Sequence, residues 1–382
     1  MKTIYLDNSA TTKVDPEVMD VMDYYHGQTY GNASSIHHEG KNAKKALGEA
    51  RSIIANSLGA NDDEIIFTSG GTEANNLAIK GMMYANEDKG RHLITTKIEH
   101  DCVLNSGKAL EAEGFDVTYL DVDSEGFVSP EALEKNLRED TVLVSIIHAN
   151  NEIGTIQDIQ RLSNICKQHD VLFHTDACQS YTKTPITTEM ADLITINAHK
   201  LHGPKGVGAL YVKQGTAIKP LLDGGGHERK RRSGTENVPG IVGFAKAVEL
   251  GMDEAHVNKM QALRDYLIDE ILKIPHTRLN GPRGEQRLCN NANISFRFIE
   301  GESIIMNLDT QGICTSTGSA CSSQTLEPSH VLMAIEDDPE RAHGSVRFTI
   351  SRYTTKEELD RTLTALKATV DKLRRISPLT EG

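Results

Sequence analysis

The chain has 382 residues, 38% apolar and 25% charged, a soluble globular balance in a chain too long for one compact core. Two domains are therefore expected, one of them discontinuous in sequence. A net charge of −13 argues against broad nucleic-acid binding, with the basic run ERKRRSG at 228–234 as a local exception.

The opening MKTIYLDNSATT lacks the apolar run of a signal peptide, and no stretch has the roughly 18 consecutive apolar residues of a membrane span, so a cytoplasmic protein is expected. The six cysteines (102, 166, 178, 289, 314 and 321) form no CxxC pair and have no regular spacing. They are expected to be thiols, with Cys166 and Cys178 inert in apolar surroundings. Histidine spacings such as His37-His38 and His199/His202 make no zinc set, and no metal is expected.

Taken in order, Asp15-Pro16 supplies an N-cap and a first-turn proline for a helix. From there to about residue 250, β-rich runs alternate with helical periodicity. The predicted strands are 64–68, 92–96, 116–120, 141–148, 171–175, 193–197 and 208–212. Most are apolar without clean alternation, as strands buried on both faces of a mostly parallel sheet should be. This is an α/β pattern. After about residue 252 it changes. Val257, Met260, Leu263, Leu267 and Ile271 mark an amphipathic helix, strands are predicted at 293–298 and 346–350, and a TTKEE capping signal opens a last helix.

In open α/β sheets, ligands sit beyond the carboxyl ends of the strands. Polar residues recur there. Strand 64–68 runs into SGGTEANN, a glycine turn entering a helix whose free amides and Thr72 hydroxyl suit a phosphate. Strand 92–96 leads to KIEHD and His100. Strand 171–175 leads to Asp176, a carboxylate too costly to bury without a cation or a strong donor. Strand 193–197 leads to Lys200 in NAHKLHGPKGVG. A lysine, an aspartate, a histidine and a phosphate cradle fit pyridoxal phosphate, the lysine as Schiff base, the aspartate as pyridine-nitrogen partner and the cradle as anchor.

The ordered motifs YLDNSATT, YGNASSIHHEGK, FTSGGTEANNLAIKG, IEHDCVL, HANNEIG, HTDACQS, AHKLHGPKGVG, RRSGTENV, STGSACSS and LEPSHVL resemble one family over nearly the whole chain. It is the NifS/IscS-like cysteine desulfurases, class-V (fold-type I) pyridoxal-phosphate enzymes. The resemblance implies a large cofactor-binding domain over 15–252 with a mostly parallel seven-stranded sheet. A smaller α+β domain would comprise 1–14 and 253–382 and carry a catalytic-cysteine loop at about 314–330.

Position by position, it implies Lys200 as the Schiff-base residue and His100 as the stacked imidazole, available as acid or base for the thiol proton. Asp176 would pair with the pyridine nitrogen and Gln179 with the phenolic oxygen. Thr72 (after Gly71) and His199 would bind phosphate, and Thr235 would reach the phosphate of the other subunit. Arg347 and Asn151 would hold the substrate carboxylate, with Asn32 nearby.

Cys321, among residues too small to bury it, corresponds to the nucleophile on a mobile loop. Cys314 is expected to be buried and unmodified. Two departures stand out: Asn197 where the family has a phosphate-binding serine, and Ser351 where it has a turn glycine. The implied partners are L-cysteine, a second copy of the chain, and an iron–sulfur scaffold or other persulfide acceptor. The alternatives are a selenocysteine lyase or another pyridoxal-phosphate enzyme of this fold, and a sulfur-relay or scaffold partner that no longer catalyses.

Overall fold

The computed structural model describes residues 3–318 and 328–378. After β1 (Ile4–Tyr5), the helix Pro16–Gly27 starts where the Asp15 carboxylate accepts the Glu17 amide and Pro16 fills a position that needs no donor. The helix His38–Leu58 ends on Gly59 at φ +73, a left-handed cap that glycine adopts freely.

Seven strands form the main sheet: β2 (Ile65–Thr68), β3 (His92–Thr96), β4 (Asp116–Leu120), β5 (Thr141–Ser145), β6 (Leu172–Asp176), β7 (Leu193–Asn197) and β8 (Gly208–Val212). Their order is β2-β8-β7-β6-β5-β3-β4, and every pairing is parallel except the two made by β8. Successive residues point to opposite faces, and both faces are covered. Ile94, Val144, Phe173 and Ile194 pack with Ile54, Leu58 and Phe244, whereas Leu93, Leu143, Leu193 and Leu210 pack with Leu77 and Met82. This double covering explains why the strands lack alternation.

Two carboxyl-terminal strand ends of this sheet differ from the sequence reading. The run 141–148 leaves regular pairing at Ser145, although Ile146 and His148 still donate to the His174 and Asp176 carbonyls (3.1 and 3.0 Å). β6 extends one residue further, so that Asp176 is its last member.

Beyond Gly251 come the helix Glu254–Ile271, β9 (Thr277–Leu279), β10 (Asn291–Phe296), β11 (Ile313–Cys314), β12 (Ser345–Thr349) and the helix Lys356–Ile376. β12-β10-β9 is an antiparallel sheet, and β1 pairs in parallel with β11. Here β10 and β12 end at Phe296 and Thr349 rather than at 298 and 350. Ile4 and Leu6 share a core with Leu267, Ile271, Phe296, Phe348, Leu366 and Val370, each such burial contributing about 1.5–3 kcal/mol. The last helix begins with a capping box between Thr355 and Glu358.

Cys314 is half-buried rather than buried, because β11 pairs with no described strand but β1 and the facing Tyr5 is 38% exposed. Ser351 sits in its turn without a positive φ, its amide donating to Thr354 Oγ1 (3.0 Å), so the turn has no need of glycine. Among the described residues, no helix is long and apolar enough to cross a membrane.

Candidate active site

The carboxyl ends of β2, β3, β6 and β7 converge on one group of side chains. Asp176, 5% exposed, accepts the Cys178 amide on Oδ1 (2.8 Å) and Asn75 Nδ2 on Oδ2 (2.7 Å). It forms no ion pair with a described residue. Burial pushes its pKa up, but the Cys178 amide, the His100 ring, the Cys178 thiol and the Asn75 amide outweigh burial and hold it below the usual value.

His100 caps the helix Asp101–Ala112, with Nδ1 accepting the Cys102 amide at 3.2 Å. Its pKa is lowered by burial first and by the Lys200 ammonium second, against the pull of Asp176 and Asp101. Lys200 and His199 follow β7, where the chain turns back into β8. Thr12 donates to the His199 carbonyl through both its amide and its hydroxyl (2.9 Å each), which fastens the DNSATT segment over this turn. His199 Nδ1 lies 3.2 Å from Thr11 Oγ1, and burial, aided by Lys200, Lys205 and Lys183, takes its pKa down to about 4. Gln179 Nε2 donates to the Ser9 carbonyl (3.0 Å).

Beneath Lys200 lies a lysine that the sequence reading passed over. Lys183 Nζ donates to the carbonyls of Gln179 (2.9 Å) and Lys200 (3.1 Å), tying two candidate residues together. Burial lowers its pKa to about 8, and Lys200 adds to that.

The turn after β2 passes Gly70 and Gly71 into a helix that continues through a π turn at Leu77–Gly81. Thr72 is exposed in its first turn. A Cβ on Gly71 would lie 2.6 Å from Cys178 Sγ and 3.4 Å from Asn197 Nδ2, so glycine is required for this approach. Asn197 Oδ1 and Asn75 Oδ1 are both buried without a partner. Cys178 is thus buried as expected, but against Asp176 and Gly71 rather than in an apolar layer.

Arg347, on β12 and 2% exposed, reaches the same region from the other side. Its guanidinium donates to the carbonyls of Asn151 (3.0 Å) and Gly318 (3.3 Å) and pairs with Asp7 (3.0 Å), while its Nε is buried and unpartnered. Glu152, which follows Asn151, is buried and accepts from Ser329 Oγ (2.5 Å). Burial raises its pKa, against Ser329, His330 and Arg347.

Asn32 and Thr235 form no hydrogen bond with this group. Asn32 is exposed and accepts the Ser34 amide (2.8 Å). Thr235 is exposed on a loop pinned by a bidentate Arg232–Glu73 pair and by buried Glu228, which accepts both guanidinium arms of Arg51 and the Phe67 amide. Glu228, Arg229 and Lys230 all have positive φ, a strain of about 1–3 kcal/mol each that this anchoring offsets. Residues beside Asn32 (Ala33 and Ser34) and beside Thr235 (Glu236) line a common surface cavity with Arg51 and Glu228.

Residues 4–362 match the family model described as aminotransferase class-V. The chain is 53% identical over 382 residues to a cysteine desulfurase IscS of Dictyoglomus turgidum, covering 99% of this chain and 97% of the relative. It is 51% identical to a cysteine desulfurase IscS of Methanosarcina thermophila, covering 99% and 95%. The chain belongs to the class-V aminotransferase family, among its cysteine desulfurases.

Solved structures agree. A NifS-like protein superposes with a TM-score of 0.91 at 39% identity, covering 97% of this chain and all of the other. SspA, solved in complex with cysteine, gives 0.83 at 37% identity, covering 92% and 100%.

As a cysteine desulfurase, the chain contains site-lining residues that sequence reasoning missed: Asn75, Cys102, Glu152, Asp7 and Lys183. Asn75 and Cys102 stand within quoted motifs; Cys102 meets His100 locally, but the meeting of Asn75 with Asp176 depends on sheet order, which no local signal carries. Cys321 lies outside the described residues.

Proposed function

We propose that this chain is a homodimeric cysteine desulfurase that uses pyridoxal phosphate to move the sulfur of L-cysteine onto Cys321. L-alanine leaves, and the persulfide passes to an iron–sulfur scaffold protein or another thiol acceptor. The observation that carries this reading is the buried Asp176 carboxylate, ringed by donors yet ion-paired to no described residue, beside His100 and Lys200.

These residues suit the cofactor. A buried carboxylate without a cation calls for one from its ligand, and a protonated pyridine nitrogen is such a partner. Beside the close approach at Gly71, Asn197 Nδ2 offers a donor for a phosphate and its unpartnered Oδ1 an acceptor for the bound waters. When bound, the cofactor supplies an electron sink for the substrate carbons.

The chain's own groups do the rest. Asp176 holds the proton of the ring nitrogen, and Gln179 donates to the phenolic oxygen. Thr72, the first-turn amides and His199 hold the phosphate, with Asn197 in place of serine beside them. Arg347 takes the substrate carboxylate next to Asn151, and Lys200 moves the Cα proton. The balance is L-cysteine plus the Cys321 thiol giving L-alanine plus the Cys321 persulfide. One C–S bond breaks, one S–S bond forms, and the thiol hydrogen ends on the alanine methyl group. Alanine release from L-cysteine by the purified holoenzyme tests the reading; release of no alanine would overturn it.

Asp176→Asn is expected to retain cofactor but turn over at least about 10³-fold more slowly, a loss of several kcal/mol of barrier stabilisation, because a neutral amide cannot hold the ring proton. Near-normal turnover of the cofactor-loaded variant would place the ring elsewhere.

The exposed Thr235 supports a role toward a second copy, as do Tyr30 and Ile36, 73% and 90% exposed in the segment that also holds Asn32. Mixing a Lys200→Ala chain with a Thr235→Val chain then forms heterodimers with one intact site. Partial recovery of activity is expected. If Thr235→Val weakens cofactor binding but mixing never restores activity, each site is built from one chain.

A further inference from the structure

Cys102 stands two residues beyond His100, and its thiol is enclosed by the groups of the site. Sγ lies 3.1 Å from His100 Nδ1 and 3.2 Å from Asn75 Nδ2. The hydrogen-bond directions can be read one by one. A backbone N–H only donates, so the Cys102 amide makes Nδ1 an acceptor, and therefore unprotonated. A neutral imidazole carries a single ring hydrogen, which is then on Nε2. Asn75 spends one amide hydrogen on Asp176 Oδ2 and directs the other at Cys102 Sγ. A sulfur that accepts there keeps its own hydrogen for Nδ1.

We propose that Cys102 is a positioning residue. With its own backbone amide it holds His100 as the neutral Nε2–H tautomer, linked through Asn75 to the carboxylate of Asp176. The proposal rests on the reading above that His100 faces the bound cofactor. Its consequence is that Nε2 meets the substrate as a hydrogen-bond donor. The ring can gain a proton only on Nδ1, giving up both bonds to Cys102. The expectation that His100 simply takes the thiol proton is narrowed accordingly.

The surroundings favour this state. His100 sits at the N-terminus of a 12-residue helix, whose positive end disfavours an imidazolium. Burial, Lys200 and His330 also oppose protonation, while Asp176 and Asp101 favour it. Burial, then Asp176, pushes the Cys102 thiol up to about 12, so its hydrogen stays in place through the neutral range.

The test uses the full-length holoenzyme labelled with ¹⁵N-histidine, with the His100 signals assigned by their loss in His100→Gln. In the wild type, Nδ1 should show the shift of an acceptor nitrogen and Nε2 that of a protonated one. Cys102→Ala removes a donor that stabilises the neutral ring. The His100 titration should then rise by about half to one pH unit, carrying the acid limb of kcat/KM with it. Cys102→Ser keeps a donor and should restore the wild-type position.

An Nδ1–H tautomer in the wild type overturns the proposal whatever the variants do. So does an unmoved titration in Cys102→Ala, or a serine variant that behaves like alanine. Should Cys102→Ala fail to fold, the wild-type tautomer and the serine variant still decide. The nitrogen shifts do not depend on turnover, so an error in the desulfurase reading leaves this test standing.

Discussion

Lys200→Ala is expected to release no measurable alanine from L-cysteine and to lose the visible absorbance of the bound cofactor. Two effects combine. The covalent anchor goes, and so does the amine that moves the Cα proton, a type of catalysis worth about 10²–10⁴-fold on its own. No neighbour can substitute. Lys183 is committed to the Gln179 and Lys200 carbonyls, and Lys205 is exposed on the following turn. The loss should be chemical and not structural: Lys200 Nζ makes no hydrogen bond to a described residue, whereas its backbone carbonyl is held by Lys183. The thermal midpoint of the cofactor-free variant should therefore match that of the cofactor-free parent within a few degrees. Normal alanine release with an unchanged spectrum would remove Lys200 from the site.

Such predictions can be made residue by residue because much of the site is local in sequence. The strands 92–96, 116–120, 193–197 and 208–212 have the bounds read from composition alone, since β-branched and aromatic runs between polar turns leave little choice. His100 and Lys200 each follow such a run, and in an α/β sheet the strand ends converge.

What was not legible is what depends on pairing across distance. Asn75 and Asp176 are 101 positions apart, and their 2.7 Å bond exists because the helix after β2 packs near the end of β6. Asp7 meets Arg347 across 340 positions through the pairing of the N-terminal segment with β12. The reversal of β8 did leave a trace. Ten residues separate Asn197 from Gly208, fewer than the dozen or so that a parallel crossover needs. Asn197 and Ser351, read as departures, turn out differently. Ser351 fits a turn with no left-handed residue, whereas Asn197 brings an amide to the Gly71 turn and leaves an oxygen without a partner.

Cys321→Ser is expected to keep cofactor and to bind L-cysteine, yet to form no persulfide and release alanine at a negligible rate. None of the cofactor contacts proposed for Asp176, Gln179, His199 and Thr72 uses the thiol, and Arg347 remains for the substrate carboxylate. A serine hydroxyl stays protonated at neutral pH and is a poor nucleophile toward sulfur, whereas a thiolate is a good one.

The described residues on either side of this cysteine are bonded to the proposed site. Before it, Ser316 pairs with Arg347 through two backbone bonds, and the Gly318 carbonyl accepts from the Arg347 guanidinium. After it, Ser329 donates to Glu152, and His330 Nε2 to the Glu99 carbonyl (2.9 Å), next to His100. On one side of Cys321 the described chain is thus bonded to the arginine proposed for the substrate carboxylate, and on the other to the residue before the histidine proposed to stack on the ring. Cys102 and Cys178 stand beside His100 and Asp176, but burial, then Asp176, raises the pKa of each thiol and makes both poor nucleophiles. Cys314 is the accessible decoy; burial, then Asp309, raises its pKa. Mass spectrometry after L-cysteine treatment should therefore find one added sulfur on the peptide containing Cys321 in the wild type and none in Cys321→Ser. Sulfur mapped to Cys314 or Cys102, or alanine release at the wild-type rate by Cys321→Ser, would move the nucleophile elsewhere.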